Sequence, residues 1–283
     1  MQHVRETVMK WVFFISALAS ILAIILICMF LFVNGIPAMA EIGIFDFLLG
    51  RSWKPSRDIY GILPMIMGSI YVTAGALIIG VPIGILTSVY LAYFCPKQVY
   101  RFLRPMVELL AGIPSVIYGF FGLVVIVPLV RSIFNVQGLT MLTASVLLGV
   151  MILPTIITVS ESALRAVPKP YLEGALALGA TKERSVFFAM LPAAKSGIMA
   201  GVALGVGRAI GETMAVIMVA GNQPRMPNGI LKGVRTMTAN IVMEMGYAAD
   251  LHRGALIATG VVLFVFILLI NSLVSLLRRK GTK

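Results

Sequence analysis

Two hundred and eighty-three residues would ordinarily build one or two soluble domains. The composition excludes that: 59% of the residues are hydrophobic and 12% charged, against roughly 45–50% and about 25% in soluble chains, and mean hydropathy is +1.00. Such a chain cannot cover a globule with polar surface, so most of its solvent is lipid. A net charge of +12 would suit nucleic acid only on a soluble face; here the basic residues sit between apolar runs, as topology signals do. Cys28 and Cys95 make no disulfide framework or four-ligand site. His3 and His252 are far apart in the chain, so no metal centre is expected.

A hydrocarbon core of about 30 Å takes about 20 apolar residues in a helix, and six stretches qualify. The first, residues 11–33, is 23 residues long without a charge, beyond the roughly 7–15 of a signal-peptide core, and is read as a retained helix. After a loop at 34–64 comes the second, at 65–94, where Gly80 and Gly84 suit close helix packing. The third, 109–130, contains Gly112-Ile113-Pro114-Ser115, which should kink or break it and free carbonyls that must line protein or water. Pro82 and Pro154 are candidate bends in the second and fourth spans. The fourth runs over 139–160 and the fifth over 196–219. After a loop at 221–253 the sixth covers 254–277. The expectation is an all-α polytopic membrane protein with six transmembrane helices, divided into a helix and loop at 1–60 and a transmembrane domain at 61–283.

Six crossings put both termini on one side. That side receives Arg5 and Lys10; Lys97, Arg101 and Arg104; Arg165, Lys169, Lys182, Arg184 and Lys195; and Arg278, Arg279, Lys280 and Lys283, fourteen cations in all. The other receives eight, Arg51, Lys54, Arg57, Arg131, Arg225, Lys232, Arg235 and Arg253. The richer side is the cytoplasm.

The loop at 161–195 reads as helix, turn, helix. Pro168 and Pro170 suit a helix start; Leu172, Ala175, Leu176 and Leu178 follow at helical spacing; Gly179 suits a sharp helix end; Thr181 can open a second helix. Its apolar surface, rimmed by Lys182, Glu183 and Arg184, fits either a protein partner or an amphipathic element lying on the membrane or its own bundle.

Arg208 and Glu212 fall inside the fifth span, where an ionisable residue costs several kcal/mol unless paired, hydrated or facing a cavity. Turning 100° per residue from Gly197 puts Gly201 at about 40°, Gly205 at about 80°, Arg208 at about 20° and Glu212 at about 60°. Glycines and charges form one stripe, which faces protein or a pore. Either the two form an internal ion pair that fixes packing, or they pass or gate a charged solute. An arginine fork matches phosphate-like oxygens, and Glu212 would hold and moderate it. Glu108, one turn after Arg104, either pairs with that arginine or faces a gate at Pro114 and Ser115.

Glu173-Gly174-Ala175, Gly179 and Leu191-Pro192 resemble the EAA loop of ABC-importer permeases of the binding-protein-dependent, MetI-like family, whose pattern is Glu-Ala-Ala, three residues, Gly, nine residues, Ile, one residue, Leu-Pro. Gly174 replaces the first Ala and Ala189 the Ile; the spacing is intact. The resemblance implies that Glu173, Gly174, Ala175, Gly179, Leu191 and Pro192 couple the helices to a cytoplasmic ATPase. GRAIGETMA (207–215) with VAGN (219–222), ELLAGIPSVIYG (108–119), MILPT (151–155) and ALRAVP (163–168) resemble phosphate-transport permeases of the PstC type. That implies phosphate import across a bacterial inner membrane, with Arg208, Glu212, Thr213 and Asn222 on the path. The implied partners are a homologous PstA-like permease, two PstB-like ATPases and an extracytoplasmic PstS-like phosphate-binding protein. No phosphate-binding loop or catalytic cluster occurs, so ATP and Mg would be bound by the partner ATPase and the chain itself would be no enzyme. A sulfate or molybdate permease and a proton-coupled transporter using Glu212 stay open as alternatives.

Overall fold

The computed structural model describes residues 2–280, except for the side chains of 2–4, 274–275 and 277–280. The side chains of His3, Arg278, Arg279 and Lys280, and all of Lys283, lie outside what is described. In chain order come α1 (Gln2–Ile42), α2 (Ile44–Leu49), a hairpin of β1 (Trp53–Lys54) and β2 (Ile59–Tyr60), α3 (Leu63–Val89), α4 (Lys97–Gly112), α5 (Ser115–Phe121) and α6 (Val127–Phe134). Then follow α7 (Met141–Arg165), α8 (Lys169–Ala177), α9 (Lys182–Ser185), α10 (Leu191–Ala193), α11 (Lys195–Gly211), α12 (Met214–Val219), α13 (Met237–Glu244) and α14 (Asp250–Lys280).

Among the described residues five helices are long and apolar enough to cross a membrane: Arg5–Ile42, Leu63–Phe94, Ser115–Phe134, Met141–Arg165 and Asp250–Leu273. A sixth crossing forms if Lys182–Ala193 and Lys195–Gly211, bent by 70°, count as one span. The expected third span is corrected here. Residues 109–112 end the separate amphipathic α4, and the span begins at Ser115, because Ile113 and Pro114 are extended (ψ 126° and 140°). A proline ring disfavours helical geometry in the residue before it, and here nothing packed around the break overrides that preference. Pro82 and Pro154 break nothing: α3 and α7 run through them. Around both prolines the two helices pack too closely to part. A Cβ on Gly80 would come within 2.8 Å of Ile152 Cδ1, and one on Gly84 within 2.8 Å of Ile156 Cγ2.

α3 and α7 form the spine. Small residues bring α11 onto the spine and α1 onto α14, as lipid-embedded helices require in the absence of a hydrophobic drive between them. A Cβ on Gly254 of α14 would lie 2.7 Å from Ala38 Cβ of α1. The earlier part of α1 is exposed on all sides, the pattern of a helix surrounded by apolar solvent. Both long connections at the end opposite residues 161–195 are folded. Phe47, Trp53 and Tyr60 share one core with Met65, Met237 and Leu256, so a boundary at 60/61 runs through a single packed unit. Trp53 Nε1 donates to the buried Glu244 at 2.8 Å, and Glu244 also holds Arg235 and His252. Burial, with a hydrogen bond to Asp58, pushes the Tyr60 hydroxyl up to about 12.

The glycine contacts give a stability prediction. Gly84→Leu forces side-chain volume into α7 and should cost about 1–3 kcal/mol, lowering the thermal unfolding midpoint in detergent. Gly246→Ala, whose Cβ would meet nothing within 4 Å, should leave the midpoint unchanged.

Candidate functional site: a polar break between two discontinuous spans

Arg208 stands in the last turn of α11, at the seam between a packed and an open face. On the packed face a Cβ at Gly197, Gly201 or Gly205 would lie 2.3 Å from Ala163 Cβ, 3.2 Å from Ser160 Oγ or 3.0 Å from Ile156 Cγ1, all on α7. On the open face Gly207 and Gly211 would meet nothing within 4 Å. The glycine stripe therefore faces protein, as the helical wheel indicates. Arg208 Nη1 donates to Thr155 Oγ1 at 3.2 Å, and its charge reaches Tyr118 of α5. Thr155 is about 21 Å from Met141 and about 15 Å from Arg165 along α7, at a rise of about 1.5 Å per residue. The guanidinium is thus at mid-helix depth, half-buried.

The Arg208–Glu212 ion pair, one of the two readings of the sequence, does not form. α11 ends at Gly211, the Glu212 backbone is extended (ψ 128°), and its carboxylate accepts from Thr213 N and Ala215 N at 3.2 Å each. Glu212 caps α12. An unsatisfied backbone amide at membrane depth costs several kcal/mol, and the carboxylate meets two of them. Among the described residues Arg208 has no ion-pair partner. Thr213 lies in the same break, its hydroxyl donating to Gly211 O at 3.2 Å. Asn222 does not join them. It sits past the far end of α12 in a left-handed conformation (φ 49°), closing that helix by donating to Ile217 O at 2.6 Å.

The break at Ile113–Pro114 lies beside this one. α5 packs on α12 so tightly that a Cβ on Gly119 would be 3.0 Å from Ala215 Cα. Carbonyls freed by the two breaks find hydroxyls: Leu110 O accepts from Tyr118 at 2.7 Å, and Glu212 O from Thr238 at 3.2 Å. Pro114 is exposed and Ser115 half-buried at the start of α5.

Glu108 pairs with Arg104 at 2.8 Å, as its spacing indicates, with its side chain 58% exposed. It stands in the last half of α4, not at the start of a span. That arginine also reaches Glu161, 1% exposed, at 2.5 Å, and Glu161 further holds Arg165 at 2.7 Å and Tyr100 at 2.9 Å. The Glu108 hydrogen bond, then those with Glu161, raise the Arg104 guanidinium further above its ordinary range against the opposing cost of burial. Arg165 Nη2 donates to Leu91 O. One buried carboxylate thus ties α4, the end of α3 and the last turn of α7. Sequence reasoning missed it; the Glu161–Arg165 spacing was a local signal, but nothing local joins Arg104 to a residue 57 positions away.

Beyond α7 the loop is anchored and displayed at once. Leu172, Val186 and Leu191 pack against Val89, Leu164 and Ile198, while Tyr171, Leu178 and Phe188 remain exposed, Leu178 at 91%. Glu173 and Gly174 lie on the exposed side of α8, Ala175 is half-buried, and Pro192 is exposed in α10. Gly179 (φ 84°) ends α8, with Gly179 N bonded to Leu176 O and Ala180 N to Ala175 O, the paired bonds of a Schellman cap. Thr181 Oγ1 accepts from Arg184 N and starts α9.

The family model described as "Binding-protein-dependent transport system inner membrane component" matches residues 80–283. The chain belongs to that family. The permease is 38% identical over 275 residues to the probable ABC transporter permease protein YqgH of Bacillus subtilis, covering 93% of this chain and 88% of that one. It is 36% identical to the phosphate transport system permease protein PstC of Mesorhizobium japonicum, covering 89% and 84%, and 33% identical to PstC of Haemophilus influenzae, covering 84% and 82%. The fold matches a permease of the inward-facing MetNI methionine ABC transporter (TM-score 0.63, 21% identity, 82% and 100% covered). It also matches a chain of a bacterial alginate ABC transporter bound to its periplasmic protein (TM-score 0.69, 18% identity, 96% and 96%). The permease is therefore a multi-pass inner-membrane protein with the MetI-like all-α fold.

The Glu161 node yields a prediction. Glu161→Gln removes the charge that Arg104 and Arg165 share and should destabilise the protein by about 1–3 kcal/mol; both arginines keep some exposure and Arg104 keeps Glu108. Adding Arg104→Met removes one of the cations that faced Glu161 and should cost less than the sum of the two single changes, a non-additivity read from thermal unfolding of the single and double variants.

Proposed function

We propose that this chain is the PstC-type permease subunit of an ATP-driven importer for inorganic phosphate, forming half of the translocation path. The observation that carries the proposal is Arg208, a mid-depth guanidinium with a hydroxyl partner and an open face beside it. A cation with no carboxylate partner attracts a compact anion. Thr155 supplies only a neutral hydrogen bond, so the positive potential persists for the ligand. The similarity to PstC chains over more than four-fifths of the sequence supports phosphate as that ligand.

Both termini and the loop 161–195 face the cytoplasm in this reading, the side richer in basic residues. Exposed Leu178 and Phe188 beside Glu173 and Gly179 form the surface that enters an ATPase, one of two PstB-like subunits that hold ATP and Mg. A PstA-like permease completes the path, and a PstS-like protein delivers phosphate at the other end. Closure of the ATPases pushes α8 to α10, and the Glu161 node passes the displacement to α4 and α7. Glu212 and Thr213 act by holding the break open at Arg208, with Pro114 and Ser115 as the adjoining hinge and Glu108 at its α4 side. Asn222 acts further out, by fixing the end of α12.

Arg208→Gln should abolish phosphate uptake by cells or proteoliposomes while the subunits still co-purify; near-normal uptake removes Arg208 from the path. In wild type, excess sulfate or molybdate should leave phosphate uptake unchanged. Gly179→Val puts a β-branched residue at positive φ and should detach or uncouple the ATPase. An unchanged phosphate-stimulated ATP hydrolysis rate in that variant would contradict the docking role.

A further inference from the structure

At the end of the bundle opposite residues 161–195, three separate segments place cations around one hollow. A cavity of about 900 Å³ is lined by Arg131 from α6, Arg225 and Lys232 from the loop before α13, and the amides of Gln137, Gln223 and Asn228. An adjoining cavity of about 550 Å³ shares Arg225 and Asn228 and adds Arg51 and Lys54. No carboxylate lines either cavity, and among the described residues none of these five cations is in an ion pair. The walls are built. Lys232 O and Ile230 O accept from Met141 N and Leu142 N, so the loop closes the first turn of α7. Gly221 (φ 79°) lies where a Cβ would be 2.7 Å from Leu139 O. Arg131 is tethered to Gln137 O at 3.2 Å through Nη2.

We propose that this basin is a second oxyanion-binding site, about 21 Å from Thr155 along α7, which collects phosphate-class anions at the entrance before they reach Arg208. The inference rests on the reading of the cargo as such an anion. The concavity and the amide donors among the cations favour a small ion that enters over the flat acidic face of a protein. Exposed to water, the site binds weakly and releases readily, which a transit site must do, and screening by salt weakens it further.

The test uses the importer assembled in lipid nanodiscs without its binding protein. Acetylation of the Lys232 amine by a water-soluble reagent is followed by mass spectrometry as inorganic phosphate is titrated against chloride at constant ionic strength. Phosphate should protect Lys232 saturably. Arg131→Gln with Arg225→Gln should raise the protecting concentration about tenfold or more, the loss of two charge-assisted contacts, and Arg208→Gln should leave it unchanged. Labelling indifferent to phosphate overturns the basin while leaving the Arg208 path standing. Protection seen only with phosphate-free binding protein also overturns it, in favour of a docking surface. Normal uptake by Arg208→Gln alongside intact protection overturns the path and leaves the basin.

Discussion

Inside hydrocarbon every backbone amide and carbonyl released from a helix has to find its partner within the protein. In this permease two helical segments end side by side, α4 at Ile113–Pro114 just before the third span and α11 at Glu212–Thr213, and the hydrogen bonds around them follow from that requirement. Tyr118 reaches back to Leu110 O, Thr238 reaches Glu212 O, and the Glu212 carboxylate turns to the amides that open α12. Turned to these amides, the carboxylate makes no salt bridge to Arg208. What reads along the chain as an ion pair is therefore a separation of roles, with the negative group holding the break and the positive group left with unspent charge.

α7 transmits this arrangement along its length. Its first turn is closed by the carbonyls of the loop that carries Lys232, its middle offers Thr155 to Arg208, and its last turns hold the Glu161 node and lead into α8. Small residues at the α7–α11 seam bring backbones close with little side-chain interlocking, whereas the Glu161 node is a dense set of charged hydrogen bonds. Displacement applied at α8 therefore meets a stiff joint first and a smooth seam afterwards. That order favours rigid transfer of motion to the depth of Arg208 over local yielding at the loop.

Much of this was legible in the sequence because it is local. Apolar run length located the spans; Pro114 marked a real break; Gly80 and Gly84 marked a packing face; Gly179 and Thr181 gave the turn between α8 and α9. The failures share one physical origin. Helical periodicity assumes that the helix continues, so carrying the wheel from Gly197 through Glu212 produced an ion pair across a point where the helix stops. The same assumption merged α4 with the third span. Glu161, Thr155 and the Glu244 node depend on pairings between distant segments, for which residue spacing carries no information. The hairpin and short helices inside the loops at 34–64 and 221–253 were not anticipated, because such short elements leave almost no periodic trace.

The open face at Gly207 and Gly211 bears on how much of a binding site one chain holds. Arg208 has walls of α7, α5 and α12 on one side and empty space on the other. A guanidinium flanked by water on one side is screened, and its attraction for an anion a few ångströms away is then only about 1 kcal/mol, against about 4 kcal/mol in surroundings of intermediate polarity. A second surface closing over that face would supply the stronger field. α5 and α6 also expose apolar residues, among them Phe120, Phe121 and Leu129. A protein surface seated against Gly207 and Gly211 would exclude water from the arginine and so strengthen its pull on an anion.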